Sequence, residues 1–283
     1  MVLRALRDAL HLRGFLEVPT PVLVPSPALE AGLDAVPAAE AWLRTSPEMA
    51  LKRVVASGLP RVYELGSCFR AEEVGPWHAR EFLLLEWYRV GGSLTALMDD
   101  VEALVAAAAA ALGRPAPQGW QRRGYGTLFT EATGLDPHTT PAATLSPRDA
   151  DDLDVALQRR WLEDVEPRLP PACFVTDWPA CQAALARVVQ VDGRPVARRV
   201  EAFLGGVELA NGFEELTDAP EQRARFASSA RQRQAEGKQP HPVDEAFVEA
   251  VGHLPPTAGI ALGVDRLVAV LCGWSGIARG RVG

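Results

Sequence analysis

Residues Val207-Glu208-Leu209-Ala210-Asn211-Gly212-Phe213-Glu214-Glu215-Leu216 put ionised groups where a core strand should be apolar. Just upstream, Val200-Glu201-Ala202-Phe203-Leu204 runs into Gly205-Gly206. Two apolar runs joined by a glycine pair predict a β-hairpin and commit this part of the chain to an antiparallel sheet. With Leu204 opposite Val207, Phe203 faces Glu208 and Glu201 faces Ala210. Glu201 and Glu208 then lie diagonally on one face, roughly 7–8 Å apart at the backbone. Two carboxylates so placed repel unless a cation sits between them, and a hard divalent ion such as Mg²⁺ prefers oxygen ligands. The bland alternative is a pair of solvated glutamates on an exposed hairpin, and the rest of the chain decides between the two.

A chain of 283 residues is long enough for one large domain or two small ones. Hydrophobic residues at 48% and charged ones at 23% describe an ordinary soluble globular protein. The balance of 29 basic and 36 acidic side chains gives −7, so no global positive field draws in a polyanion, although a local basic site is compatible with that sum. Cys68, Cys173, Cys181 and Cys272 are scattered without paired metal-ligand spacing, which suits a reduced, cytoplasmic setting better than a disulfide framework. No apolar run reaches membrane-spanning length. Met1 to Gly14 is amphipathic, with Leu3, Leu6 and Leu10 alternating with Arg4, Arg7 and Arg13, and is not a signal peptide.

Taken in order, a helix over Leu3–Leu12 ends at Gly14. The proline-punctuated segment Phe15–Pro21 suits a sheet edge or subunit contact, and 25–40 reads as a loop. Ser46 is a good N-cap and Pro47 a good first helical residue, with Met49 to Ser57 continuing the helix. Glu48 at that start has an ordinary explanation in the macrodipole. Arg61 to Glu73 predicts a strand ending in charge, 74–80 a loop, and Glu81 to Tyr88 a second strand antiparallel to the first. Arg70, Glu72, Glu86 and Tyr88 fall on even positions and so share a face within each strand. Charge on a sheet face that should be buried is retained only when paired or functional. After Asp99 a helix runs through Ala111 and is closed by Gly113 and Pro115. Arg114 to Gly124 reads as a connection. Helices are expected over Thr127–Thr133, over Ser146–Glu166 with Ser146-Pro147 as its start, over Glu221–Glu236 (solvent-facing) and over Asp244–Val251, with a strand at Cys173–Pro179. Last, Gly259 to Leu271 predicts a strand, a glycine bend and an apolar helix from about Asp265. Arg266 then sits in a first helical turn, where the macrodipole disfavours a cation and an anion such as phosphate would compensate.

These pieces together resemble a known family. Phe69-Arg70-Ala71-Glu72, His78, Glu81-Phe82 and Glu86-Trp87-Tyr88 resemble motif two of the class II aminoacyl-tRNA synthetases in their lysine-specific branch. Gly263-Val264-Asp265-Arg266 resembles motif three, and Gly14 to Pro21 resembles a degenerate motif one. With Glu208-Leu209-Ala210-Asn211-Gly212-Phe213 the likeness runs over nearly the whole chain. It implies an α+β fold, an antiparallel sheet flanked by helices, as a single catalytic domain over 1–283 without an anticodon-binding domain. Within the branch the chain is most similar to the elongation factor P–lysine lysyltransferases, which adenylate (R)-β-lysine and transfer it to a lysine of elongation factor P. Only one helix precedes the catalytic region, where lysyl-tRNA synthetases carry an OB-fold. Ala261 stands where those synthetases typically have glycine, and one methyl in a tight pocket shifts preference between near-isosteric substrates. The chain departs from the pattern at Ala79-Arg80, which replace the usual Asn-Pro and remove a polar ATP contact, and in a shorter N-terminal segment, which bears on motif one's dimer contacts.

The resemblance implies ATP and Mg²⁺ as cofactors. Adenylation is in-line attack of an ionised carboxylate on the α-phosphorus, so it needs positioning and cations rather than a general base. Arg70 would bridge the substrate carboxylate and α-phosphate. Phe82 and Arg266 would sandwich adenine, with Arg266 also near the γ-phosphate. Glu72, His78, Leu209 and Gly263 would line the nucleotide, and Glu201 and Glu208 would hold Mg²⁺, with Glu208 also at the ATP. Ser46, Pro47, Asn211 and Ala261 belong to the implied amino-acid pocket. A diamino acid brings two ammonium groups that require acidic partners. Glu48 suits the amine nearer the carboxylate, Glu215 and Tyr88 the distal one, and Glu86 completes the acidic wall. The implied partners are (R)-β-lysine or lysine and elongation factor P. A homodimer is expected, no membrane contact is, and tRNA is disfavoured by the net charge. Two alternatives stay open: a truncated lysyl-tRNA synthetase-like enzyme activating α-lysine and charging tRNA, and a non-catalytic paralogue, which intact Arg70, Glu201, Glu208 and Arg266 disfavour. His11, His138, His241, His253 and Gln182 are assigned no role.

Overall fold

The computed structural model describes residues 1–281 except 31, 147 and 149–151. Its N-terminal helix α1 (Val2–Leu12) buries Leu6 and Leu10 completely and ends where Gly14 takes φ +78°, a conformation open to glycine at no steric cost. The following β1 (Leu16–Glu17) pairs in parallel with β5 (Arg61–Phe69) at the sheet edge. The span expected to be a loop holds part of a small three-stranded sheet, β2 (Leu23–Val24), β3 (Pro37–Ala38) and β4 (Ala41–Leu43).

Helix α2 (Glu48–Ala56) begins one residue later than expected, with Pro47 at the cap position. Ser46 still acts locally as foreseen, because its Oγ accepts from the Glu48 amide at 2.9 Å. Strands β5 (Arg61–Phe69) and β6 (Glu81–Val90) are antiparallel, with Glu64 opposite Glu86. β5 stops at Phe69, so the parity argument does not extend to Arg70 and Glu72.

Helix α3 (Leu94–Ala111) starts ahead of Asp99, capped by Ser93, whose side chain accepts from Ala96 N–H. The connection after it closes in β7 (Gln121–Gly124), followed by α4 (Tyr125–Thr133) and the short α5 (Ala142–Leu145). The helix expected from Ser146 begins instead as α6 (Leu153–Arg160), because Asp152 caps it by accepting from Val155 N–H. Ser146 ends α5, and Pro147 lies outside the described residues. A π-helical turn (Trp161–Val165) and a 3-10 turn (Glu166–Arg168) prolong α6.

The remaining elements are β8 (Ala172–Pro179), β9 (Val188–Val191), β10 (Arg194–Leu204), β11 (Val207–Glu214), α7 (Ala219–Ala235), α8 (Glu245–Val251), β12 (Thr257–Gly263) and α9 (Val264–Leu271). The strands order as β1-β5-β6-β12-β11-β10-β8-β7, with β9 on β10. Six of them, β5 through β8 in that order, form one antiparallel run. α7 is less solvent-facing than its charge suggested: Gln222, Phe226 and Arg233 are buried, and Arg233 donates to Asp34 Oδ1 at 2.9 Å.

Strand alternation separates core from site. Leu85 and Trp87 of β6, Ala258, Ile260 and Leu262 of β12, and Val200, Ala202 and Leu204 of β10 pack with Leu97, Val101 and Leu104 of α3 in the main core. Their neighbours along each strand point to the opposite face. Burying that core at roughly 25 cal/mol per Å² of apolar surface holds the sheet rigid, so the other face can carry charge.

The hairpin register differs from the expected one in an informative way. Leu204 pairs with Val207 and Phe203 with Glu208 as anticipated, across Gly205 (φ +61°) and Gly206 (φ +78°). The register then shifts at Ala202/Phe203, so Glu201 faces Asn211 and not Ala210. The extra residue is Leu209, a β-bulge. It lets Leu209 and Ala210 both enter the main core while Glu208 and Asn211 both face the other side with Glu201. An apolar Leu209 is better buried than solvated, and a regular ladder would not allow it.

Candidate active site

The face opposite α3 holds a cavity of about 530 Å³. Arg70, His78, Phe82, Glu201, Glu208, Leu209, Gly263 and Arg266 line it together with Ser46, Glu48, Glu86, Tyr88, Asn211 and Ala261. Residues far apart in sequence therefore meet in one hollow. Glu72, Pro47 and Glu215 do not line it. Glu72 is exposed, and its neighbour Glu73 lines the wall instead.

At one end, Arg70 donates to Glu73 Oε1 at 2.9 Å, and its guanidinium stands 5.1 Å from the Phe82 ring centroid. Its Nε is buried with no hydrogen-bond partner among the described residues. Arg266, in the first turn of α9, donates to the carbonyls of Trp77 (3.1 Å) and Glu208 (3.0 Å) and lies 3.5 Å from Glu208 Oε2. Its Nη2 is 2.6 Å from His78 Nε2. Burial and then the Arg266 charge lower the His78 pKa, so the imidazole is neutral and Nε2 accepts. Asp265 anchors this end by accepting from the Leu83 amide at 2.7 Å, a carboxylate favourably placed at a helix start.

The other end is an acidic wall. Glu86 accepts from Tyr88 Oη (2.6 Å) and Ser46 Oγ (2.7 Å). Lys52, one turn into α2, lies 2.5 Å from Glu48 and 2.6 Å from Glu215. All four groups are buried. Burial disfavours the Lys52 charge, but Glu215 and then Glu48 outweigh it and the ammonium's pKa rises. Burial, then Glu48, pushes Glu86 up to about 7. Burial also pushes Glu215 up to about 8, against Lys52. Glu215 Oε1 has no hydrogen-bond partner among the described residues. Three carboxyl groups thus face a single ammonium in a low-dielectric wall, and burial favours the protonated forms of Glu86 and Glu215 until a further cation arrives.

Gly259 keeps this wall open. A Cβ there would stand 2.2 Å from the Tyr88 ring and 2.7 Å from Glu215 Oε1, which no side chain tolerates without displacement.

On the hairpin, Arg199 pairs with Glu201, donates to Asn211 Oδ1 at 3.3 Å and to the Gln182 carbonyl at 2.9 Å, and lies 4.3 Å from the Trp178 ring centroid. Burial, opposed by Arg199 and reinforced by Glu208, pushes Glu201 up to about 8. Among the described residues no three His, Cys, Asp or Glu side chains gather as a metal cage. A Mg²⁺ shared with substrate phosphates needs only one or two carboxylates, and a cation beside Glu201 and Glu208 would offset the repulsion that Arg199 already opposes.

Sequence reasoning missed Lys52, Glu73 and Arg199. Lys52 had a signal in its i,i+4 spacing from Glu48. Arg199 sits two residues from Glu201 and therefore on its face. Glu73 had none, since loop geometry selects it over Glu72.

Residues 1–279 match a family model described as tRNA synthetases class II (D, K and N). The chain is 37% identical over 286 residues to the elongation factor P–(R)-β-lysine ligase of Yersinia enterocolitica, covering 92% of this chain and 86% of that protein. The ligase of the same name from Proteus mirabilis is 37% identical over 285 residues, with 92% and 86% covered. That from Hamiltonella defensa is 34% identical over 291 residues, with 94% and 87% covered.

Proposed function

The chain belongs to the class II tRNA synthetases of the D, K and N group, and on that footing we propose that it is an ATP-dependent, AMP-forming ligase that activates (R)-β-lysine and transfers it to a lysine side chain of elongation factor P. The relatives' names support the substrate and the acceptor. The observation that carries the reading is the imbalance in the acidic wall: Glu48, Glu86 and Glu215 against Lys52 alone. Two ammonium groups on one small molecule restore neutrality there, and buried carboxylates without that complement are costly.

In this reading Arg70 orients the amino-acid carboxylate against the α-phosphate, using a guanidinium whose Nε is otherwise unpartnered. Arg266 and His78 face the nucleotide, with Phe82 as its stacking surface. Tyr88, Glu86 and Ser46 form the polar floor beneath the amino acid, and Asn211 and Ala261 its side. Glu215 acts from behind Gly259 and through Lys52. Glu201 and Glu208 would hold Mg²⁺, which supplies charge neutralisation on the phosphates. The chain would act in the cytoplasm as a homodimer. Its four cysteines are free, no described helix is long and apolar enough to cross a membrane, and the N-terminal edge exposes Leu12, Leu16, Val22 and Leu23.

The test is the intact mass of elongation factor P after incubation with ATP and (R)-β-lysine. One lysyl addition is expected. An unchanged mass with enzyme that is folded rejects the acceptor assignment. Arg266→Ala and Glu208→Ala should each abolish pyrophosphate exchange while leaving the circular dichroism spectrum unchanged, and retained exchange in either would remove the nucleotide assignment.

A further inference from the structure

A second cleft of about 1000 Å³ opens beside the cavity, between α6, the turn after β8 and α7. The two hollows share four described residues: Glu30, Gln158, Leu162 and Arg199. Of these, Glu30 is the one carboxylate. Its side chain has neither an ion pair nor a hydrogen bond among the described residues, whereas Arg199 is committed to Glu201, Asn211 and the Gln182 carbonyl. The junction between a cavity that forms an adenylate and an open cleft therefore carries one uncommitted acid.

That position matters for the second half of the reaction. A lysine amine of ordinary pKa near 10.4 arrives as an ammonium and has no lone pair to attack with. It must lose a proton beside the adenylate, which in the reading above occupies the cavity it is approaching. We infer that the cleft admits the acceptor lysine side chain and that Glu30 is the base that takes its proton. This role rests on the adenylate-forming reading above. Besides Glu30, the cleft carries Asp154, Glu163 and Glu221 against Arg159, Arg199 and Arg225, and its Arg225 is paired with Glu221 and the carbonyls of Ala184 and Ala186.

The step balances without a further reactant. The Glu30 carboxylate takes one proton from the ammonium. The freed lone pair forms the C–N bond at the adenylate carbonyl, and the C–O bond to the phosphate breaks as AMP leaves with its electron pair. The second nitrogen proton passes to solvent as the amide forms. Burial and the neighbouring Glu48 raise the Glu30 pKa, while Arg70, Arg199 and Lys52 oppose the rise. A carboxylate so raised is a better match for proton transfer near neutrality.

The experiment separates the two half-reactions in Glu30→Gln, with Glu30→Asp as a second variant. Pyrophosphate exchange with (R)-β-lysine should stay within about threefold of the parent, while transfer to elongation factor P falls by about 100-fold, within the usual range for general base catalysis. Glu30→Asp should recover part of the transfer rate. Hydroxylamine is uncharged at neutral pH and needs no base, so hydroxamate formation should be equal in parent and variants. The residual transfer by Glu30→Gln should keep rising with pH where the parent levels off. Parental transfer rates in Glu30→Gln, hydroxamate formation lost in step with transfer, or a raised KM for (R)-β-lysine in exchange would each overturn the role, the last by making Glu30 a substrate contact. No exchange in the parent itself removes the adenylate reading, and this role with it.

Discussion

Lys52 holds Glu48 and Glu215 together from 2.5 and 2.6 Å, and each of the three is buried. Removing one partner of a buried ionic set leaves the others uncompensated, which costs about 3–5 kcal/mol. Lys52→Met should therefore lose that much stability in denaturant titration, and Lys52→Met with Glu215→Gln should recover part of it. A loss below about 1 kcal/mol would mean that the carboxylates are already neutral without Lys52. Individual residues were legible where a strand fixed their direction. Glu86 and Tyr88 lie two apart in β6 and share the cavity face, as parity required. Parity has no force beyond Phe69, where β5 ends, so it says nothing of Glu72, which the motif resemblance assigned to the nucleotide and which the folded loop leaves exposed beside the cavity-lining Glu73. Glu215 was legible as acidic and near the site, but that it stands behind Gly259, against a lysine from another element, is a property of packing alone.

Among the elements, the strand β12 and its glycine leave room for the Tyr88 ring and for Glu215 Oε1. Gly259→Ala places a methyl 2.2 Å from the Tyr88 ring, so something must move, at a typical overpacking cost of about 1–3 kcal/mol. The expected kinetic signature is a KM for the amino acid raised by about tenfold or more, with a smaller change in the KM for ATP, because Arg70 and Arg266 lie at the other end. Equal changes in both constants would contradict the division of the cavity into two ends. The hairpin shows where sequence reasoning stops at this scale. The glycine turn and both strands were legible from composition, and so was the shared face of Glu201 and Glu208. The bulge at Leu209 was not, because either register satisfies local propensity. Burial of Leu209 and Ala210 on the α3 side decides it.

For the molecule as a whole, the buried carboxyls of the cavity and its wall make stability depend on pH in a direction opposite to that of a salt-bridged surface. Glu86, Glu201 and Glu215 have folded pKa values raised to about 7, 8 and 8 from an ordinary 4.5. A raised carboxyl binds its proton more tightly in the folded state, so stability is greatest below 4.5 and is lost as pH climbs to the folded value. His78, His138 and His241 have lowered values, and their opposing contribution is complete by about pH 6.5. Between pH 6.5 and 8.5 stability should therefore fall on the order of 1 kcal/mol per pH unit for each carboxyl still titrating, and the melting temperature with it. Glu215→Gln should flatten the slope, and saturating (R)-β-lysine should reverse it. A melting temperature that rises across this window would contradict the buried, underneutralised wall. The antiparallel sheet and flanking helices were legible from strand, turn and cap signals, and the motif resemblance placed both ends of the cavity. The side cleft with Glu30 was not, since it arises where α6, the turn after β8 and α7 meet, and no local pattern encodes that junction.

In the function proposed above, three carboxyl groups against one ammonium select a doubly cationic amino acid. The most direct measurement compares kcat/KM for pyrophosphate exchange with (R)-β-lysine and with its analogue lacking the distal amine. A polar site left unpaired rejects such an analogue strongly, so a loss of at least about 100-fold is expected, together with exchange that depends on Arg70. Comparable exchange with both compounds would mean that the acidic wall does not read the second ammonium, and the account of this cavity would fail.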